Sequence, residues 1–188
     1  MKPRILLVST YPELSEMAKR IAKELGVPLS VYEGGIMRDG HIYAKKKESG
    51  YDVIISQGGT AAVIKEMVKI PVVSIEISTV DLLNALVKAK GYGDKIGLVC
   101  HRYENLDALE SLRNILNINF RVFPYNDKNQ LVRQIEDATA IERITIVAMG
   151  GCITEIAKEK HLNSVLITCS QNAIRQAIIA AKNICDIG

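Results

Sequence analysis

Short, almost unbroken apolar runs alternate along this chain with longer stretches whose apolar positions recur every three to four residues. Ile5-Leu6-Leu7-Val8, Val53-Ile54-Ile55 and Ile144-Thr145-Ile146-Val147 are runs of the first kind. They are too short for helices and carry few polar interruptions, which fits parallel strands covered on both faces. The pattern predicts strands near 4–9, 28–32, 52–56, 72–77, 95–100, 119–124, 144–149 and 164–168. Helices are predicted near 12–25, 36–48, 60–68, 79–90, 103–116, 128–138, 151–160 and 171–185. Strand and helix in strict alternation are the mark of βαβ units.

Turn chemistry supports this division. Gly26 precedes Val27-Pro28, Gly50 precedes the third strand, and Pro71 opens the fourth. Thr10-x-x-Glu13 and Ser78-x-x-Asp81 read as helix N-caps with an acidic residue in the first turn.

The pattern also repeats. Ile5-Leu6-Leu7-Val8-Ser9-Thr10 returns as Ile96-Gly97-Leu98-Val99-Cys100-His101, and Gly58-Gly59-Thr60 as Gly150-Gly151-Cys152. Ile75-Glu76-Ile77-Ser78 returns as Ile167-Thr168-Cys169-Ser170. A period of roughly 91 residues is too long for a solenoid and suits a small α/β lobe. The expected architecture is therefore two tandem, duplicated three-layer α/β/α lobes, each with a short parallel sheet, and a cleft between them. The duplicated halves meet near 91/92. The chain is expected to cross over, so that 1–78 with 170–188 forms one lobe and 79–169 the other.

Composition narrows the class without naming it. The 188 residues are 48% apolar and 24% charged, with a net charge of +3, ordinary for a globular protein able to bury a core. Lys45-Lys46-Lys47 is the densest basic run and Glu48 follows it directly, so it reads as a solvated helix face and no nucleic-acid contact is expected. Cys100, Cys152, Cys169 and Cys185 show no paired spacing and are expected to be reduced thiols in the cytoplasm. The short apolar run after Met1-Lys2-Pro3-Arg4 does not suit a signal peptide, and no membrane helix is expected. Three scattered histidines, His41, His101 and His161, give no metal-ligand spacing. No cofactor is expected, and no nucleotide fingerprint is present in the sequence.

In open parallel sheets the ligand lies beyond the carboxyl ends of the strands. That rule selects Ser9-Thr10-Tyr11, Glu33-Gly34-Gly35, Gln57-Gly58-Gly59-Thr60 and Ile77-Ser78 in the first half. In the second it selects Cys100-His101-Arg102-Tyr103, Pro124-Tyr125-Asn126, Met149-Gly150-Gly151-Cys152 and Cys169-Ser170-Gln171-Asn172. The Gly-Gly turns allow backbone to approach a carboxylate or phosphate at a helix N-terminus, or simply permit a tight turn. Ser78 and Ser170 read first as caps and second as ligand hydroxyls. Arg102 suits a bidentate contact to an anion, or a surface pair with Glu104. Cys152 at a helix start reads as a small filler, with an activated thiolate as the alternative. Ser9, Thr10, Tyr11, Gln57, Gly58, Gly59, Thr60, Ser78, His101, Arg102, Gly150, Gly151, Cys152 and Ser170 form the candidate ligand site, with no catalytic residue assigned.

The run Tyr51-Asp52-Val53-Ile54-Ile55-Ser56-Gln57-Gly58-Gly59-Thr60-Ala61, with Ile70-Pro71-Val72-Val73 and Ser78-x-x-Asp81-Leu82-Leu83-x-Ala85-Leu86, resembles the PrpR-type N-terminal sensor domain of NtrC-type transcriptional activators. Ile96-Gly97-Leu98-Val99 and Ser170-x-x-x-Ile174-Arg175-Gln176-Ala177 continue the resemblance, which covers essentially the whole chain. It implies a chelatase-like or periplasmic-binding-protein-like fold and a small organic acid as effector, a tricarboxylate (2-methylcitrate) in the best-known members. It further implies an ATPase module that engages sigma-54 RNA polymerase and a DNA-binding module, which this chain does not contain, and a possible homo-oligomer. Many relatives have Arg where this chain has Gln57, a change that favours a smaller or less charged effector. The competing resemblance is to two-lobed cysteine racemases, isomerases and decarboxylases, faintly carried by Gly150-Gly151-Cys152-Ile153-Thr154. Thr60 in the matching position of the first half does not supply the second thiol that a two-base racemase needs.

Overall fold

The computed structural model describes residues 1–35, 38–101 and 107–188. Its elements run β1 (Ile5–Ser9), α1 (Pro12–Glu24), β2 (Leu29–Glu33), α2 (Gly40–Lys47), β3 (Val53–Gln57), α3 (Gly58–Met67), β4 (Val72–Ile75) and α4 (Thr79–Lys90). The second series is β5 (Ile96–His101), α5 (Asp107–Leu116), β6 (Phe120–Tyr125), α6 (Lys128–Ile141), β7 (Thr145–Ala148), α7 (Gly151–Glu159), β8 (Ser164–Leu166) and α8 (Gln171–Ile187). The described part of the second helix starts at Gly40. Positions 36–37, where the sequence pattern starts it, and 102–106, with Arg102 and Tyr103, lie outside the described residues.

Two parallel sheets carry the duplication. Their strand orders, β2-β1-β3-β4 and β6-β5-β7-β8, are the same order written twice. The inner strands β1, β3, β5 and β7 are buried at every position, whereas the edge strands β2, β4 and β8 are mostly half-buried or exposed. That difference explains why only the inner strands read as unbroken apolar runs. Pro124 is accommodated because β6 is an edge strand.

The chain forms two compact units, Met1–Ile77 with Cys169–Gly188 and Ser78–Thr168. Each repeat therefore sends its last helix to the other unit's sheet. In the first unit α8 packs on β3 and β4 and beside α1, while α2 and α3 pack together. Leu6, Val8 and Ile54 meet Ala44 of α2 and Ile64 of α3 in one layer of core. Strand alternation turns Ile5, Leu7 and Ile55 to the opposite face, on which α1 and α8 bury Leu14, Ala18, Ile21, Ile174, Ala177 and Ala181. In the second unit α4 packs on β5, β7 and β8, α6 on β5 and β6, and α7 on β7 and β8.

Each sheet has an ion pair joining the chain just before its first strand to the chain leading into its third: Arg4 with Asp52, and Lys95 with Glu142. The Asp52 carboxylate accepts from Arg4 Nη2 at 2.6 Å and from the Arg4 backbone N–H at 3.0 Å. These bonds hold it below the usual carboxylate range. Glu48, bonded by the side chain of Lys45 and the backbone of Lys69, is lowered in the same sense. A carboxylate depressed by folding stabilises above its unfolded pKa, and this stabilisation is lost as pH falls through the folded value. Thermal midpoints should therefore drop below about pH 4, and Asp52→Asn should flatten that drop. An equally steep acid limb in the variant would place the sensitivity elsewhere.

Among the described residues no helix is long and apolar enough to cross a membrane.

Candidate functional site

The return of the chain to the first unit fixes the first strand-end loop. Tyr11 is 3% exposed, and its hydroxyl accepts the backbone N–H of Cys169 at 2.9 Å. Pro12 at the first position of α1 makes Tyr11 the N-cap residue. Thr10 is thereby not the cap that Thr10-x-x-Glu13 suggested, and α1 has no side-chain cap. Ser9 Oγ instead donates to the Tyr11 carbonyl at 2.9 Å, tightening the loop. Tyr11→Phe strips a buried N–H of its acceptor and should cost about 1–3 kcal/mol in chemical denaturation. Unchanged stability would show that the returning segment is held by other means.

Released from capping, the Thr10 hydroxyl donates to Oε1 of Gln57 at 3.3 Å. Gln57 is the last residue of β3 and the N-cap residue of α3, with extended backbone (φ −131°, ψ 146°) and no side-chain bond to the helix. It is 2% exposed, and among the described residues its Nε2 has no hydrogen-bond partner. Neighbouring buried hydroxyls are satisfied: Ser56 Oγ donates to the Val8 carbonyl at 2.8 Å and Ser15 Oγ to Glu33 at 3.0 Å. A buried amide nitrogen without an acceptor costs free energy, and such groups mark functional positions.

The β2 loop closes over the same spot. Gly34 N–H donates to the Ser9 carbonyl at 2.9 Å, and the Gly35 carbonyl accepts from the N–H groups of Arg38, Asp39 and Gly40 at 3.0, 3.3 and 3.1 Å. A Cβ on Gly35 would lie 3.2 Å from Thr60 Oγ1 and 3.5 Å from Thr10 Cγ2, so backbone covers both threonines. Gly58 then turns β3 directly into α3 with φ of 54°, a left-handed conformation that glycine adopts without penalty. Thr10, Gly35, Gln57, Gly58 and Thr60 thus meet at the carboxyl ends of β1, β2 and β3. Gly35 appears among the strand-end loops in sequence, but only the fold shows that it touches Thr10 and Thr60.

In the second unit the matching glycines behave differently. Gly150 is the N-cap residue of α7 with extended backbone (φ −168°), and a Cβ there would meet nothing within 4 Å. The two Gly-Gly turns are alike in sequence and unlike in conformation. Cys152 is half-buried in the first turn of α7. His101 ends β5, 3% exposed, edge-on to Tyr125 with ring centroids 5.5 Å apart. Ser78 forms a full capping box with Asp81 on α4, and Ser170 caps α8 through the N–H of Ala173. Both serines cap as expected, each Oγ accepting a backbone N–H. Gly59 and Gly151 lie in the first turns of α3 and α7. Among the described residues no cluster of His, Cys, Asp or Glu could hold a metal ion.

Duplicated parallel sheets with exchanged final helices place the chain in the two-lobed α/β class of periplasmic-binding-protein-like domains. The fold matches an NtrC family transcriptional regulator from Clostridium acetobutylicum with a TM-score of 0.87 at 23% identity, over 100% of this chain and 98% of that one. It also matches the ABC domain in complex with L-Trp from Streptococcus pneumonia (TM-score 0.57, 12% identity, 100% and 85% covered). A third match is the transcription regulator CcpA of Lactococcus lactis (TM-score 0.53, 11% identity, 98% and 92% covered). At sequence level, residues 23–187 match the family model described as Propionate catabolism activator. The chain belongs to that family, and so to transcription regulation.

Proposed function

We propose that the chain is the effector-sensing domain of a sigma-54-dependent transcriptional activator, and that its effector is a small organic acid. The observation that carries this reading is the buried, unpaired Nε2 of Gln57 beside Thr10, Gly35 and Thr60, in a member of an activator family. Gln57, Gly58, Gly59, Thr60 and Thr10 form the centre of the proposed contact. Ser9, Tyr11, Ser78 and Ser170 are proposed as further contacts to the effector. From the second unit, His101, Arg102 and the turn Gly150-Gly151-Cys152 are proposed to complete it.

Binding acts by population shift. An effector with unequal affinity for two arrangements of the units moves the equilibrium between them by that difference. Helices α4 and α8, each of which follows a crossover between the units, are proposed to pass the change to an attached ATPase and DNA-binding output.

The test is a thermal-shift screen of the protein against mono-, di- and tricarboxylates, 2-methylcitrate included, with phosphate as an inorganic control. A saturable rise in midpoint is expected for at least one acid, since binding to the native state must stabilise it. A flat response across the acids would overturn the proposal. Cys152→Ser should respond like the parent protein; turnover of an acid that vanishes in this variant would instead establish a cysteine enzyme.

A further inference from the structure

We propose that a cavity within the second unit, at the end where the strands of its sheet begin, is a separate ligand site, and that it takes an uncharged molecule with an aromatic ring.

The chain has two phenylalanines and no tryptophan. Both phenylalanines, Phe120 and Phe123, line this one cavity of about 450 Å³, together with Ile96, Ala138 and Ile144. All five residues are buried. That volume and those walls suit one small organic molecule.

The duplication shows what is special about this place. Tyr32 pairs with Val8 in the first sheet as Phe123 pairs with Val99 in the second, so the two rings hold equivalent positions. In the first unit Tyr43 of α2 stacks on Tyr32, with centroids 3.7 Å apart and planes 3° from parallel. Helix α6 follows β6 as α2 follows β2, but it carries no aromatic residue, and its Ala138 faces the cavity. A protein ring serves the first position, and the ring of a ligand can serve the second. The hollow at the same end of the first sheet is lined by Arg4, Ser30, Lys46, Lys47 and Ser49, polar groups that suit water.

Gly97 keeps the cavity open. It stands where the first repeat has Leu6, and a Cβ on it would lie 2.7 Å from Ile144 Cδ1 and 3.0 Å from Phe123 Cε2. Both atoms belong to cavity walls, so a side chain at this position drives the walls inward. The rim argues for a ligand without charge. Lys95 pairs with Glu142, and the Arg121 guanidinium lies over the Phe123 ring at 5.2 Å. With Asp94 these groups bring two charges of each sign, so an ion entering the cavity would lose hydration without a net opposite charge to offset it.

The experiment titrates the protein with the uncharged fluorescent probe N-phenyl-1-naphthylamine. Emission should rise saturably with one site per chain. Gly97→Ala and Ala138→Leu narrow the cavity from different walls and should each weaken binding about tenfold or more. Phenol should displace the probe at a concentration about threefold or more below that needed for cyclohexanol, the worth of a ring–ring contact. Phe123→Leu, which keeps the wall apolar, should erase that preference. Succinate should not displace the probe. No saturable binding, or a folded narrowing variant that binds like the parent, would overturn the site. Cyclohexanol matching phenol, or displacement by succinate, would overturn the ligand class. None of these outcomes depends on acid sensing at Gln57.

Discussion

Gly40→Ala should destabilise the protein by about 3 kcal/mol, the upper end for overpacking, and lower the thermal midpoint by about 6–12 °C. A Cβ at this position would overlap the carbonyl oxygen of Gly34 and stand 2.8 Å from Val8 Cγ1. The first contact is with backbone, so no rotamer change relieves it and the loop must move. That loop is pinned at both ends: the Gly34 N–H bonds the Ser9 carbonyl, and the Gly35 carbonyl takes three N–H groups, that of Gly40 included. Tyr32 adds a further tie through hydroxyl bonds of 2.8 Å to both oxygens of Asp39. Displacing Gly34 displaces Gly35, whose backbone covers Thr10 and Thr60. The variant should therefore lose effector response as well as stability. Gly50→Ala is the control, since a Cβ there meets nothing within 4 Å. Equal stability of the two variants, read by thermal unfolding, would refute this account of the loop.

Gln57→Met should have effects of opposite sign with and without effector. Methionine matches glutamine in length but carries no amide, so the ligand-free protein no longer buries an unpaired donor. The gain should be about 1 kcal/mol, the lower end of the cost of an unsatisfied buried group. The Thr10 hydroxyl loses its acceptor but is only half-buried, so water can replace it. With a binding acid present, the stabilisation seen in the parent should vanish. A more stable protein that no longer responds is what a functional site held at a cost to stability predicts. A ligand-free variant that is markedly less stable would mean that Nε2 serves the fold.

Much of the fold was legible because its determinants are local. Val53–Gln57 is wholly buried and opens with the apolar run Val53-Ile54-Ile55, and Ser78 with Asp81 forms the capping box that their spacing suggests. The doubled strand order follows from the repeated segments. The centre of the candidate site was only half legible. Gln57-Gly58-Gly59-Thr60 stands out as a strand-to-helix turn, but the Thr10–Gln57 bond spans 47 residues and has no local signature. The spacing of Thr10 and Glu13 suggests a cap, and Pro12 overrides it by moving the helix start. The Gly-Gly repeat suggested two equivalent turns, yet Gly58 is left-handed and Gly150 extended. Gly40 reads as ordinary in sequence, because its constraint comes from the backbone of Gly34 folded against it.

The most direct test of the central claim is an NMR titration of the ¹⁵N-labelled protein with the strongest-binding acid from the screen. The Gln57 side-chain amide and the backbone amides of Gly58 to Thr60 should shift saturably and with one common affinity. Saturable shifts confined instead to the opposite end of the second sheet, around the cavity of about 450 Å³ lined by Phe120, Phe123 and Ile144, would contradict it.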